Sequence, residues 1–362
     1  MRIERLQLSR FRSFESVQWQ PEPGLNFILG SNGAGKTSLL EAAHLLANGR
    51  SFRGRVRDGL IRHGAADLEV FAQWRESSER TRRAGLRHSG RDWQAKLDGE
   101  AVDSLAELCT ALAVLSFEPG SHGLVTGGSE QRRRFIDWAL FHVEPEFLPL
   151  WRRFARAMKQ RNSLLKAHPR PGDLDPWDHE LALTGEAITR MRDLYLESIE
   201  PTLIAIACRF IPELGPLHLQ FRPGWKRDSQ SLHSTLLQTR DRDIAMGYGT
   251  VGPHRADWCI EFERLPDWAV VSRGQGKLVA LACLLAQGHA YAQVRGEWPV
   301  IAFDDMASEL DQAHQMRVLG DLQASGAQVL ITGTEAPVIV GGTDVAMFHV
   351  EQGAIGISRR QN

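Results

Sequence analysis

The sequence predicts an α/β fold in which a mixed sheet surrounds a phosphate-binding loop and a helical arm is inserted between the two halves of the sheet. Three observations carry this. Gly30-Ser31-Asn32-Gly33-Ala34-Gly35-Lys36-Thr37 follows the apolar run Leu25–Leu29 and opens the helical run Ser38–Leu46. Val300-Ile301-Ala302-Phe303 is a short apolar run ending in Asp304-Asp305. Between them, apolar residues from Phe147 to Ile199 recur at three- and four-residue steps.

Taken in order, Ile3–Leu8, Val17–Trp19 and Leu25–Leu29 read as short strands. In the loop that follows, glycines let successive N–H groups turn toward phosphate oxygens. Lys36 is placed to reach the β- and γ-phosphates, and the Thr37 hydroxyl to meet Mg²⁺. All eight residues from Gly30 to Thr37 are therefore candidate nucleotide contacts. Leu68–Trp74, Ala84–His88 and Trp93–Leu97 read as further strands, the last two forming a hairpin around Ser89-Gly90. Phe147, Leu150, Trp151, Phe154, Met158 and Leu165 then mark one helix, and Trp177, Leu181, Ile188, Met191, Tyr195 and Ile199 a second. Pro169-Arg170-Pro171-Gly172 breaks the run, so the two helices should lie antiparallel, with too few heptads for a long coiled coil. Leu217–Phe221 is a further apolar run, and Lys226–Arg242 is polar and partly helical. Gly252-Pro253-His254-Arg255 reads either as a turn between two strands or as a site presenting His254 and Arg255 at a charged interface. The expected division is a head in two parts, 1–115 and 246–362, with a helical arm at 116–245.

Composition sets outer limits. The 362 residues allow two domains or one with a large insertion. Cys109, Cys208, Cys259 and Cys283 are too scattered for a disulfide framework or a zinc knuckle and are expected as core residues of a reduced compartment. Met1–Leu6 lacks an apolar signal core, and no run approaches the roughly 20 apolar residues that span a bilayer, so a soluble, cytoplasmic protein with no membrane partner is expected. A net charge of -1 excludes little, because polyanion binding needs a basic patch and not a basic total. Arg50, Arg53, Arg55, Arg57 and Arg62 form such a patch, opposed only by Asp58. A second, from Arg75 to Arg91, is diluted by Glu76 and Glu79.

The C-terminal third narrows the class. A strand ending in two acids suits Asp304 as a Mg²⁺ ligand and Asp305 as the group that orients an attacking water. Ser272-Arg273-Gly274-Gln275 opens the apolar helix Leu278–Ala290, so Ser272, Gly274 and Gln275 stand at a helix N-terminus, a ready phosphate site; Ser272 could equally be a helix cap. Ser308-Glu309-Leu310-Asp311 follows the acids. This order of elements reads as an ABC-type P-loop ATPase head. Thr332 stands where many such ATPases place a histidine on the γ-phosphate, and we assign it that contact; Glu118-Pro119 stands where a glutamine is common, and no role is assigned there.

Phe11-Arg12-Ser13-Phe14, Gly33–Ala42, Ser51-Phe52-Arg53, Arg132–Asp137, Gln160-Arg161-Asn162-Ser163-Leu164-Leu165, Gly252-Pro253-His254-Arg255 and Ser272-Arg273-Gly274-Gln275 together resemble the RecF family of recombination mediator ATPases, nearly end to end. The resemblance implies a slow, cytoplasmic DNA-binding ATPase of the SMC-like branch, with a short helical arm and with ATP and Mg²⁺ as cofactors. It implies an ATP-dependent homodimer on single-stranded DNA, duplex and gap junctions, acting with RecR, and through it RecO and RecA, in repair, the SOS response and replication restart. Phosphate contacts would then fall on Arg53, Arg55 and Arg57, with Arg132–Arg134 next. The chain departs from the pattern at Asp257, where Ala256-Asp257 replaces an expected pair of acids, and at Asp305, where transport ATPases carry glutamate. A membrane-transporter ATPase subunit and an SMC-type chromosome-organising protein are the alternatives.

Overall fold

The computed structural model describes residues 1–54, 59–167, 169–170, 172–265, 271–335 and 345–361. Arg55 and Arg57 lie outside the described residues. The chain forms two compact units, Met1–Ser121 with Tyr291–Asn362, and His122–Ala290. The sequence placed these boundaries at 115/116 and 245/246; residues 246–290, expected with the head, fall in the second unit.

The strands in chain order are β1 (Arg2–Phe11), β2 (Phe14–Trp19), β3 (Leu25–Leu29), β4 (Leu68–Arg75), β5 (Thr81–His88), β6 (Trp93–Leu97), β7 (Glu100–Ala101), β8 (Val114–Phe117), β9 (Leu217–Arg222), β10 (Asp257–Phe262), β11 (Val300–Phe303), β12 (Val329–Gly333), β13 (Val345–Glu351) and β14 (Ala354–Gln361). The helices are α1 (Lys36–Asn48), α2 (Leu105–Ala111), α3 (Gly123–Thr126), α4 (Ser129–Val143), α5 (Phe147–Lys166), α6 (Asp175–Phe210), α7 (Leu232–Gln238), α8 (Arg240–Met246), α9 (Arg273–Arg295), α10 (Met306–Glu309) and α11 (Gln312–Ala324).

In the first unit, one sheet runs β2-β1-β4-β5-β6-β7 and is antiparallel throughout. The other runs β14-β13-β3-β12-β11-β8 and is parallel except at β14. Helix α1 is buried nearly all round, with Leu39, Leu40, Leu45 and Leu46 in one core with Leu6, Val70 and Trp74 of the first sheet and Ile28, Ala302, Leu330 and Phe348 of the second. That explains its weak amphipathicity: a helix covered on several sides has little use for a polar face. In α11 the cap is Asp311, whose carboxylate accepts from His314 N at 2.9 Å, so this acid of the Ser308–Asp311 run is a helix start.

In the second unit, α5 packs on α6 as the spacing predicts, and β9 pairs antiparallel with β10. The sequence places the second helix at 177–199; it extends to Phe210, past Pro201. A proline inside a helix costs about 3 kcal/mol. Burial of Leu203, Ile206, Ala207 and Phe210 beyond it offsets that cost. The Gly252–Arg255 turn leads from α8 into β10, not from one strand to another, with Pro253–Arg255 as a 3₁₀ turn. Of the four cysteines, Cys259 and Cys283 are buried, Cys109 is half-buried and Cys208 is exposed, so the expectation that all four are core residues fails at Cys208, which falls on a solvent face of α6. Among the described residues, no helix is long and apolar enough to cross a membrane.

Candidate nucleotide-binding site

Three adjacent parallel strands bring the predicted site together. In the β3-β12-β11 register Thr332 pairs with Ile28 and Ile331 with Phe303, so the chain leaves all three strands at one edge of the sheet. The loop at Gly30, the acids Asp304-Asp305 and Thr332 meet there, as expected at the carboxyl ends of parallel strands.

Close approach dictates two of the loop glycines. At Gly30 (φ 154°) a Cβ would lie 2.4 Å from the Val350 carbonyl oxygen, and at Gly35 (φ 111°) 2.8 Å from the Phe14 ring. Phe14 of the Phe11-Arg12-Ser13-Phe14 run thus closes under the loop, giving that run a physical reason. Helix α1 begins at Lys36 with no side-chain cap, leaving its first N–H groups facing the loop.

Lys36 is nearly buried, and its ammonium donates to Gly30 O at 2.6 Å and Ser31 O at 2.8 Å. Burial pushes its pKa below the ordinary lysine value, partly opposed by Asp305 and Asp304. Asp304 Oδ1 accepts from Thr37 Oγ1 at 2.8 Å and from Thr332 Oγ1 at 2.7 Å. Its carboxyl is held above the usual range by burial, against the pull of those two bonds. Thr332 also accepts from Asp305 N at 2.9 Å, so its hydroxyl is engaged on both sides. Asp305 adopts the left-handed backbone (φ 54°, ψ 54°).

A cleft of about 360 Å³ is walled by Asn32, Gly33, Gly35, Lys36, Thr37, Asp305 and Thr332, and also by Arg12, Ser13, Ser38, Arg53, Gly59 and Thr334; Asp304 lies behind that wall, bonded to its Thr37 and Thr332. Gly30, Ser31 and Ala34 shape the loop without lining the cleft. Arg53, expected on a DNA surface, is a cleft-wall residue with its side chain half exposed. Arg12 was missed as a wall residue: the sequence singled out its run but offered no chemistry for it.

Ser272, Gly274 and Gln275 lie in the second unit. Ser272 and Gly274 are exposed at the start of α9. Ser272 Oγ accepts from Gln275 N at 3.2 Å, and Ser272 N donates to Gln275 Oε1 at 3.1 Å, a reciprocal capping box. The cap reading of Ser272 therefore describes this state of the chain.

The fallback DNA cluster does not survive as a free basic patch. Arg132 is buried and forks onto Asp257 at 2.7 and 3.0 Å, Arg133 donates to Ala256 O at 2.7 Å, and Arg134 pairs with Glu130. Asp257, in doubt from the sequence, is the anchor of that fork. In the second basic run Arg75 pairs with Glu4, Arg82 with Asp98 and Arg87 with Asp67.

Two other singled-out runs form one buried network. Arg161, fully buried, bonds Asp178 at 2.6 Å and Asp243 at 2.7 Å. Its neighbour Asn162 accepts from Gly249 N at 3.0 Å, and Gly249 O meets His254 Nε2 at 2.9 Å and Arg255 Nη2 at 3.1 Å. Burial holds the His254 pKa down, to about 4, and its ring braces the turn, whereas Arg255 is exposed over the Tyr248 ring.

A P-loop after β3, an acid-tipped β11 two strands along the sheet and a helical insertion in the chain define an ABC-type P-loop ATPase head. Residues 2–355 match the family model described as the RecF/RecN/SMC N terminal domain. With the relatives that follow, the chain belongs to the RecF family. It is 57% identical over 361 residues to the DNA replication and repair protein RecF of Xanthomonas euvesicatoria pv. vesicatoria (strain 85-10), covering 98% of each chain. It is 55% identical over 360 residues to the protein of that name from Stenotrophomonas maltophilia (strain R551-3), covering 98% of this chain and 99% of the other. A solved structure of the recombination mediator protein RecF-ATP in the RecFOR pathway shares the fold at a TM-score of 0.89 and 24% identity, covering 99% of this chain and 97% of the other.

Proposed function

We propose that this chain is an ATP-dependent DNA-binding protein of recombinational repair and replication restart, a slow ATPase that uses the nucleotide as a dimerisation switch. The observation that carries the reading is the convergence of Lys36, Thr37, Asp304, Asp305 and Thr332 on one cleft of a RecF-family head. Its relatives are named for DNA replication and repair, and its structural neighbour was solved with ATP in the RecFOR pathway. RecR, and through it RecO and RecA, are the partners this implies; single-stranded and gapped DNA are the substrates; the cytoplasm is the compartment.

Thr37 Oγ1 and Asp304 Oδ1 are hard oxygen donors that suit Mg²⁺. The ion, when bound, neutralises charge on the β- and γ-phosphates. Lys36 would exchange its two loop carbonyls for phosphate oxygens, and the uncapped N–H groups of α1 would add neutral donors. Asp305, on the cleft wall, orients the attacking water and accepts its proton. Thr332, bonded to Asp304 and to the Asp305 backbone, positions the acid pair; Thr334 is the exposed hydroxyl left to meet the γ-phosphate. Ser272, Gly274 and Gln275 of a second copy complete the site in trans, so hydrolysis releases the dimer.

The test combines dimerisation, measured by light scattering, with binding to duplex, single-stranded and gapped DNA, each with and without ATP. ATP should raise both, Ser272→Arg should bind ATP as a monomer, and Lys36→Ala should lose ATP binding. Ser272→Arg dimerising as wild type does would remove the trans contact. If Arg53, Arg55 and Arg57 touch DNA, each alanine variant should lower the log–log salt slope by about one unit; unchanged slopes in all three would move the DNA surface elsewhere.

A further inference from the structure

Glu41 lies in α1, one turn beyond the phosphate-binding loop, and is completely buried. A carboxylate without exposure is retained only when it is paired and hydrogen-bonded. Here its partners come from two other segments. Arg12 forks onto it, Nε to Oε2 at 2.9 Å and Nη2 to Oε1 at 2.6 Å. Ser51 Oγ donates to Oε1 at 2.5 Å and itself accepts from Arg53 N at 2.9 Å. The Arg53 guanidinium stands 3.9 Å from Oε2. Arg12 and Arg53 are both cleft-wall residues, while Glu41 itself does not line the cleft.

We propose that Glu41 is a positioning residue for the nucleotide cleft, holding Arg12 and, through Ser51, the Arg53 backbone where they can meet an anionic ligand. This rests on the reading of the cleft as a nucleotide site. The two arginines are held differently. Arg12 is forked and largely covered, so it enters the cleft wall already oriented, whereas Arg53 has a fixed backbone and a half-exposed, loosely held guanidinium. Because the carboxylate sits on the helix whose N-terminus addresses the phosphates, the wall and the loop are fixed to one rigid element.

The experiment is a titration of ATP with Mg²⁺ against wild type, Arg12→Gln, Glu41→Gln, their double variant, Ser51→Ala and Lys36→Ala, with a thermal melt of each. Glu41→Gln and Arg12→Gln should each weaken ATP binding on the order of tenfold, the loss expected for one charge-assisted fork. The double variant should be no weaker than the weaker single variant, because Glu41 acts through Arg12. Ser51→Ala, with a wild-type melt, should weaken binding about threefold. Multiplying losses in the double variant, or wild-type affinity in both Arg12→Gln and Ser51→Ala, would overturn the proposal, and the last two carry the test if Glu41→Gln does not fold. Wild-type affinity in Lys36→Ala would instead overturn the nucleotide reading itself.

Discussion

In the first unit Lys36 and Asp304 are buried beside a cleft; in the second Arg161, Asp178 and Asp243 are buried around one another. The second network is closed on its carboxylates, although Arg161 Nη2 finds no partner among the described residues. Asp243 takes Arg161 on one oxygen and Thr250 N and Oγ1 on the other, at 2.9 and 2.7 Å, and Asp178 takes Arg161 and Arg240. The first is open: among the described residues the Lys36 ammonium is held by loop carbonyls with no carboxylate bonded to it, Asp304 is bonded by the Thr37 and Thr332 hydroxyls, and Asp305 lines the cleft. Buried charge satisfied by its neighbours is framework. Buried charge held by groups that a ligand can replace is a site.

Breaking the closed network should have the largest effect. Arg161→Met leaves buried Asp243 without its cation and Asp178 with Arg240 alone, and denaturant unfolding should show a loss of about 3 kcal/mol. If stability falls by less than 1 kcal/mol, the network is not framework and the comparison collapses.

Next in size is Asp305→Asn. Asparagine also tolerates the left-handed backbone, so the loop should keep its shape and ATP should still bind while turnover falls about 100-fold. Steady-state hydrolysis beside an ATP titration separates the two outcomes.

Acid sharpens the contrast further. Burial lowers the pKa of His44, beside Arg50, to about 3 and of His254 to about 4, both below the ordinary histidine value. Each is depressed in the folded state, so each contributes stability that is complete above about pH 6.5 and is lost as pH falls toward 4 and then 3. His254→Gln should flatten the stability loss between pH 7 and 5 by about 2 kcal/mol, read from urea midpoints at the two pH values.

The smallest effect is a gain. The raised Asp304 pKa means the folded state binds the proton more tightly than the unfolded chain, so stability falls as pH rises through that window. Asp304→Asn should therefore be more stable than wild type at pH 7 while losing Mg²⁺-dependent ATP affinity. Equal or lower thermal stability would show that Asp304 is framework after all.

Much of this was legible in residue order. The glycine spacing, the acid-tipped strand and the helical periods predicted the loop, its sheet and the α5–α6 pair, because each is a local pattern. Three things were not. The role of Arg12 depends on a fork to Glu41, 29 residues away, and no local rule pairs them. Arg132 looked like a DNA contact until its partner Asp257, 125 residues on, was in place. Asp243, which closes the Arg161 network, lies in a polar stretch with no periodicity to mark it. Spacing reports what an element is; which charges neutralise one another is settled only by the fold.

The backbone at Asp305 also bears on which acids this position can accept in evolution. At φ 54° a residue with a longer side chain meets the steric penalty that aspartate and asparagine partly escape through local hydrogen bonding. Glutamate, common here in transport ATPases, would carry a backbone cost of about 1–2 kcal/mol in this turn, a cost the chain already bears at Glu79 (φ 61°). A lineage with this turn can therefore exchange the shorter acid for the longer one at some loss of stability, without redirecting the chain before α10.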